Sequence, residues 1–342
     1  MDQKRFESLL ERFHSKRVAV VGDFILDEYL IGDTRRVSRE APVIVIDYRE
    51  SVYHPGGAAN ATQNVASLSG SARAFGMVGG DKNGKVLADI LKKRGVDPSG
   101  LVTVNEISTA VKTRILAGEL HAQRQQVARI DRSYRVESGV ESLHLLADRV
   151  AAACEDSDAV LIADYGMGVV PGEVSLAAIE ACRNAGTPVI IDSRFQLTHF
   201  NGATVAVPNE VELFDALKSR DRSAKRLGEL AHEVIQKQQM DGLIVTRGSR
   251  GMLVFEKDTE PEPVGIVGSR DVTDVTGAGD TVAAAVALTL GSGGTLSEAA
   301  EIATYAAAVV VMKRGTATVT RNEMLKQREE WSTPKTVKKD LA

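Results

Sequence analysis

Five short runs of almost uninterrupted Val, Ile, Leu and Ala, at 18–22, 159–164, 188–192, 204–209 and 243–246, constrain this chain more than any other feature. A strand with one face in water alternates apolar with polar residues. A strand that is apolar throughout is covered on both faces, the pattern of a parallel sheet between two helical layers. Stretches with helical periodicity separate the later runs, for example 174–185 and 224–238. Strands alternating with helices predict an α/β, doubly wound, mostly parallel sheet with helices on both faces. The 342 residues, 43% hydrophobic and 26% charged, are enough to build its core.

Asp23, Asp164, Asp192, Asn209 and Thr246 stand at or just past the C-terminal ends of those runs. In an open α/β sheet that edge forms the ligand crevice. Any one of them alone reads equally well as a helix cap; five together predict a site.

Residues 274–281, Asp-Val-Thr-Gly-Ala-Gly-Asp-Thr, give the site its chemistry, because a small-residue helix over 282–290 follows at once. Glycines in the turn before a helix present free N–H groups and the positive end of the helix dipole, which suits a phosphate or a developing oxyanion. Asp280 then lies one residue past the turn, poorly placed to bind an anion and well placed to remove a proton beside one. Gly56 and Gly57 precede a second small-residue helix, 58–68, so the backbone there can approach a ligand closely, with Asn60 suited to bonding hydroxyls. Asn209 and Glu212 lie three apart and share a helix face, a source of hard oxygen ligands for Mg²⁺ or, equally, an acidic helix start. Residues 79–86 almost spell a phosphate-binding G-x-x-x-x-G-K-[S/T] loop between a strand (74–78) and a helix (86–93), but Val86 lacks the hydroxyl that ligates Mg²⁺.

Net charge of −4 and a pI near 6.0 speak against nucleic acid or an anionic membrane as partner. No apolar run approaches the ~18 residues of a membrane span. Cys154 and Cys182, both in apolar helical patterns, form no metal spacing and no disulfide framework. Phe6, Leu9, Leu10 and Phe13 predict a surface helix packed on the domain, and the interspersed Asp2, Glu7 and Glu11 argue against a targeting peptide, so a cytoplasmic protein is expected. Two stretches, 28–53 and 108–132, break the α/β rhythm with β-branched, alternating residues and predict a small separate sheet hinged to the main domain. The tail from Trp331 reads as weakly ordered.

The octapeptide 274–281 resembles the C-terminal signature of the ribokinase-like (PfkB) carbohydrate kinases, and Pro55-Gly-Gly-Ala-Ala-Asn60 their N-terminal one. The resemblance implies a ribokinase-like kinase domain over 1–330 whose second sheet is a lid covering the sugar and pairing two copies into a homodimer. It implies that Asp280 is the base and that Gly277, Ala278 and Gly279 form the anion hole. On the sugar side it implies Asp23, Asp27, Gly56, Gly57, Asn60, Lys112, Arg114 and Asp164. For ATP it implies Arg194, Asn209, Thr246, Gly248, Gly251, Thr276, Thr304 and Ala307, with 302–311 walling the adenine. Glu212 and Asn209 would hold Mg²⁺ through water, a monovalent cation is a further expected cofactor, and the Gly-x-Asp-x-x-Gly turn at 79–84 becomes structural.

Within the family, the longest matches are to the kinase domain of the bacterial bifunctional ADP-heptose synthesis enzymes. They include 20–29, 36–43 (Arg-Val-Ser-Arg-Glu-Ala-Pro-Val), 111–114, 125–131, 164–169 and 313–319. The expected reaction is ATP-dependent phosphorylation of the anomeric hydroxyl of D-glycero-D-manno-heptose 7-phosphate; the alternatives are another sugar or sugar phosphate, or a nucleoside. An aromatic content of 4% disfavours the nucleoside. The lid cations Arg35, Arg36, Arg39, Lys112, Arg114, Arg124 and Arg129 suit a phosphate monoester. The chain departs from the family at Met167, where Lys is usual, at Arg194, where Asp-Pro-Lys is usual, and at Thr304, where Asn is common. No residue follows 342, so the nucleotidyltransferase often fused in this family is expected on a separate chain.

Overall fold

The computed structural model describes residues 1–118, 124–137, 139–170, 172–257, 259–268 and 273–331, and every structural statement below refers to these. The chain opens with α1 (Gln3–Arg12) and β1 (Arg17–Gly22), then sends out a long hairpin, β2 (Phe24–Val37) and β3 (Ile44–Gly57). It returns through α2 (Ala58–Ser67), β4 (Ser71–Gly79), α3 (Lys82–Lys93) and β5 (Asp97–Val104), and leaves again as β6 (Ala110–Gly118) and β7 (Gln125–Arg132). The second half runs α4 (Glu141–Cys154), β8 (Ala159–Asp164), α5 (Glu173–Ala185), β9 (Val189–Ser193), β10 (Val205–Ala206), α6 (Glu210–Ala216), α7 (Ala224–Gln238) and β11 (Gly242–Thr246). It closes with β12 (Met252–Glu256), β13 (Glu262–Val264), α8 (Ala278–Gly291), α9 (Leu296–Val310) and α10 (Arg321–Glu330).

The nine-stranded sheet runs β13-β12-β11-β10-β9-β8-β1-β4-β5 and is parallel from β11 to β5. The five apolar runs are therefore five consecutive strands, and their polar ends form one edge. Both faces are covered, as uninterrupted apolarity requires. Val18 and Val20 of β1 belong to the core shared with α1, α2, α8 and α9, while Ala19 and Val21 belong to the one shared with α4, α5 and α7. The run predicted over 204–209 keeps only two residues in the ladder, because Pro208 has no N–H to donate; its carbonyl accepts from Thr246 instead, and Asn209 bridges Thr246. The helix predicted from Val86 begins at Lys82. Asp81 caps it by accepting from Gly84 N at 2.8 Å, which makes the 79–84 turn structural.

A four-stranded sheet, β3-β2-β6-β7, stands apart from the large one. It occupies the two stretches that broke the rhythm, though its first strand starts at Phe24 rather than 28. Phe24, Ile25 and Leu26 are fully buried, so in sequence they read as a continuation of the core run. Val37, Ile44, Tyr48, Val127 and Ile130 of this sheet are exposed. Residues 119–123 of the expected lid and 332–342 of the expected tail lie outside the described residues. Trp331, assigned to the tail, instead packs against the core beside Gly268. No described helix is long and apolar enough to cross a membrane.

Candidate active site

Asp280 is the third residue of α8, which begins at Ala278, so Ala278 and Gly279 belong to the helix and only Gly277 remains in the turn. Gly277 adopts φ +78°, a conformation that side chains disfavour, and a Cβ there would stand 2.5 Å from Asn60 Nδ2. That amide donates to Asp280 Oδ2 at 2.6 Å, and the Tyr165 hydroxyl donates to Oδ1. The Ala278 N–H closes the turn on Val275 O at 3.2 Å, while those of Gly277 and Gly279 have no acceptor among the described residues. A Cβ on Gly279 would meet nothing within 4 Å, so open space lies before the helix N-terminus. Burial raises the Asp280 carboxyl above its ordinary range, against the pull of Tyr165, Asn60 and Arg194. A base raised toward neutrality is what proton abstraction at neutral pH uses.

Two of the expected sugar-binding acids bond the turn that follows β8. Asp23 is fully buried, and its Oδ2 accepts from Tyr165 N at 2.7 Å and Met167 N at 3.1 Å. Burial pushes its carboxyl up to about 7. Asp164, also fully buried, accepts from Gly166 N at 2.9 Å and Ser193 Oγ at 2.6 Å. Both therefore hold the 164–167 turn, where Met167 packs with Ile25 and Ala110. An acid at the end of a buried strand finds unpaired backbone N–H groups in the following turn; both Asp164 oxygens are bonded, whereas Asp23 Oδ1 is buried with no partner among the described residues.

The lid supplies the opposite wall. Asp27, nearly buried, forms an ion pair with Arg114 at 2.9 Å. A Cβ on Gly56 would come within 2.8 Å of the Asp27 carboxyl, so this glycine makes room for the acid, and Gly57 ends β3 as the N-cap of α2. Most of the expected surplus of lid cations is neutralised within the lid: Arg35 on Asp47, Arg124 on Asp33 (3.2 Å), Arg129 on Asp131 (2.6 Å) and Arg114 on Asp27. Lys112 differs. No carboxylate lies within 4 Å of it among the described residues, its ammonium stands 5.2 Å from the Tyr165 ring centre, and burial followed by repulsion from Arg194 lowers its pKa. Arg194 flanks the same ring at 4.7 Å. The sequence reading missed Tyr165. It directly follows a strand-end acid, but its bond to a side chain 115 residues away leaves no mark in the sequence.

Beyond the helix N-terminus opens an apolar cleft of about 250 Å³. Thr246, Gly248, Gly251, Thr304 and Ala307 line it, joined by Ala278 and Gly279 at the end nearest Asp280. Of the other expected ATP residues, Thr276 lies in the turn before α8, bonded to Asp274, and Arg194 lies over Tyr165. Asn209 and Glu212 form a reciprocal capping box on α6, with bonds of 2.9 and 2.8 Å. Among the described residues no three acids, histidines or cysteines converge as direct metal ligands. Burial and repulsion from Asp280 and Glu212 hold the Asp192 carboxyl well above its ordinary range, a concentration of negative charge that a divalent cation held through water would relieve.

A ribokinase of Arabidopsis thaliana, complexed with ribose and ATP, has a similar fold (TM-score 0.70, 22% identity, 91% of this chain and 98% of that one). So does phosphofructokinase-2 of Escherichia coli in complex with potassium (TM-score 0.72, 19% identity, 93% and 99%). In sequence, the chain is 35% identical over 326 residues to the bifunctional protein HldE of Geotalea uraniireducens, covering 95% of this chain and 65% of the relative. It is 37% identical over 317 residues to the same-named protein of Shewanella denitrificans, covering 92% and 64%. Residues 15–323 match the pfkB family carbohydrate kinases. With that match over most of its length, the ribokinase-like fold, and the signature aspartate at the helix end that meets the cleft, the chain belongs to the pfkB family and is a sugar kinase.

Proposed function

We propose that this kinase phosphorylates a sugar that already carries a distal phosphate, and that the sugar is D-glycero-D-manno-heptose 7-phosphate, attacked through its anomeric hydroxyl. The observation that carries the reading is Lys112, a half-buried cation with no carboxylate within 4 Å among the described residues, held over Tyr165 on the lid side of the base. The lid motif Arg36-Val-Ser-Arg-Glu-Ala-Pro and the identity to HldE proteins support the heptose.

Asp280 takes the proton of the acceptor hydroxyl, whose oxygen forms a bond to the γ-phosphorus of ATP as the bond to the β-phosphate oxygen breaks and ADP leaves with that electron pair. The N–H groups of Gly277 and Gly279 stabilise charge on the transferred group, and the apolar cleft between Thr246 and Ala307 takes the adenine. Mg²⁺, held through water beside Glu212 and Asp192, would neutralise phosphate charge. A monovalent cation belongs to the same reading. The exposed apolar residues of the lid pair two copies. The chain spans about 65% of the bifunctional relatives, and nucleotidyl transfer onto the sugar 1-phosphate is the reaction class that consumes the product.

The test is ADP release over a panel of sugars with and without the distal phosphate. Lys112→Ala should raise KM for the phosphorylated sugar roughly 10- to 150-fold, the worth of a charge-assisted bond of about 1.5–3 kcal/mol, and leave KM for ATP unchanged. Arg114→Ala should instead weaken both sugars alike, because it strands the buried Asp27 carboxylate. Equal losses for both sugars in Lys112→Ala would overturn the phosphate reading.

A further inference from the structure

We propose that Tyr165 is a positioning residue for the base: its hydroxyl fixes one carboxylate oxygen of Asp280 and sets the pH at which that carboxylate can accept the sugar proton. This rests on the sugar kinase assignment but not on the identity of the sugar. Three observations converge on it. The Tyr165 hydroxyl donates to Asp280 Oδ1 while Asn60 donates to Oδ2, so the carboxylate is gripped at both oxygens and each keeps a lone pair for the acceptor hydroxyl. The turn that presents the ring is held by two buried acids, Asp23 on Tyr165 N and Asp164 on Gly166 N. Finally, Lys112 and Arg194 both lie against the ring, at 5.2 and 4.7 Å, so the aromatic face is fixed by cations that also draw the substrate's anions.

The charged groups around the base come from several elements. Asp27 on β2 repels the Asp280 carboxylate, and Arg194, just past β9, attracts it; Asp192 on β9 is itself held well above its ordinary range by burial and by the Asp280 charge; Lys112 on β6 acts across the ring. Lysine and arginine keep their charge over the pH range of interest, so the donors and the neighbouring acids tune the base. Tyr165 itself neither gains nor loses a proton in the reaction, because burial and the adjacent Asp280 charge push its own titration well above the ordinary phenol range. The bond it donates favours the charged carboxylate, so removing it raises the pH at which Asp280 becomes active.

The experiment is the pH profile of kcat for Tyr165→Phe, which keeps the ring and its cation contacts and removes only the hydroxyl. The acid limb should move to higher pH by about one unit, with roughly tenfold lower kcat below the limb, near-complete recovery above it and an unchanged KM for ATP. Asp27→Asn should move the limb the other way, since it removes the charge that repels the Asp280 carboxylate. An unmoved limb in Tyr165→Phe, with or without a uniform loss of kcat, overturns the proposal, as it would leave Tyr165 a packing residue only. A readout independent of turnover is the melting temperature. The gap between wild type and Tyr165→Phe should widen from pH 5 to pH 8 and lose that pH dependence in an Asp280→Asn background. Wild type inactive on every sugar would refute the kinase reading, and the melting arm would still decide the role of Tyr165.

Discussion

Asp280 is the base of the proposed reaction, and its surroundings predict how a substitution behaves. Asp280→Asn keeps the side-chain volume and the bond from Tyr165, so the protein should fold and bind ATP while kcat falls roughly 10²- to 10⁴-fold, as measured by ADP release. Asp23 makes the opposite prediction, of stability rather than rate. The folded protein holds its proton up to about pH 7, whereas the unfolded chain releases it near 4. Between these values the folded state binds more protons, so Asp23 contributes stability below pH ~4 that is lost as pH rises through ~7. In Asp23→Asn that slope should vanish from a plot of melting temperature against pH. A slope identical to wild type would mean that Asp23 is ionised throughout.

At the scale of elements, α6 separates two meanings of one motif. Asn209 and Glu212 cap the helix reciprocally, and glutamine serves that cap as well as glutamate. Glu212→Gln should therefore leave the melting temperature within a degree or two yet raise the Mg²⁺ concentration giving half-maximal rate; overlaid Mg²⁺ titrations would reduce the motif to a helix start. What the sequence revealed about such elements follows a physical rule. The parallel strands and α8 were legible because burial on both faces writes itself into consecutive residues. So was the glycine turn at 274–279 that opens α8, which needs only a local sequence signal. The pairing of Arg114 with Asp27 and the bond from Tyr165 to Asp280 were not, because they depend on which elements meet in space. The same cause misled the count of lid cations: a one-dimensional tally records charges but not that Asp33, Asp47 and Asp131 neutralise three of them. The lid's start was placed four residues late because Phe24–Leu26 serve the core and the lid together.

Across the whole molecule, apolar exposure on the lid at Val37, Ile44, Tyr48, Val127 and Ile130 is the feature a second copy would cover. Sedimentation should give twice the 36.6 kDa chain mass at micromolar concentration, and Ile130→Glu should return it to a single chain; a monomeric wild type would remove the lid from the interface. The lid also shares its backbone with the chemistry. β2 is 14 residues long, with Asp27 near its root and the hairpin tip at its far end beyond two register shifts, and β3 returns through Gly56 and Gly57 directly into the helix that carries Asn60. At ~3.4 Å per residue, a swing of the tip reaches Asp27 reduced about fourfold. Such a lever gears coarse movement outside down to fine adjustment at Asp27, the acid proposed to face the sugar. Sequence drift at the tip would thus retune acceptor preference by small steps, leaving the proton-transfer machinery at the fulcrum undisturbed.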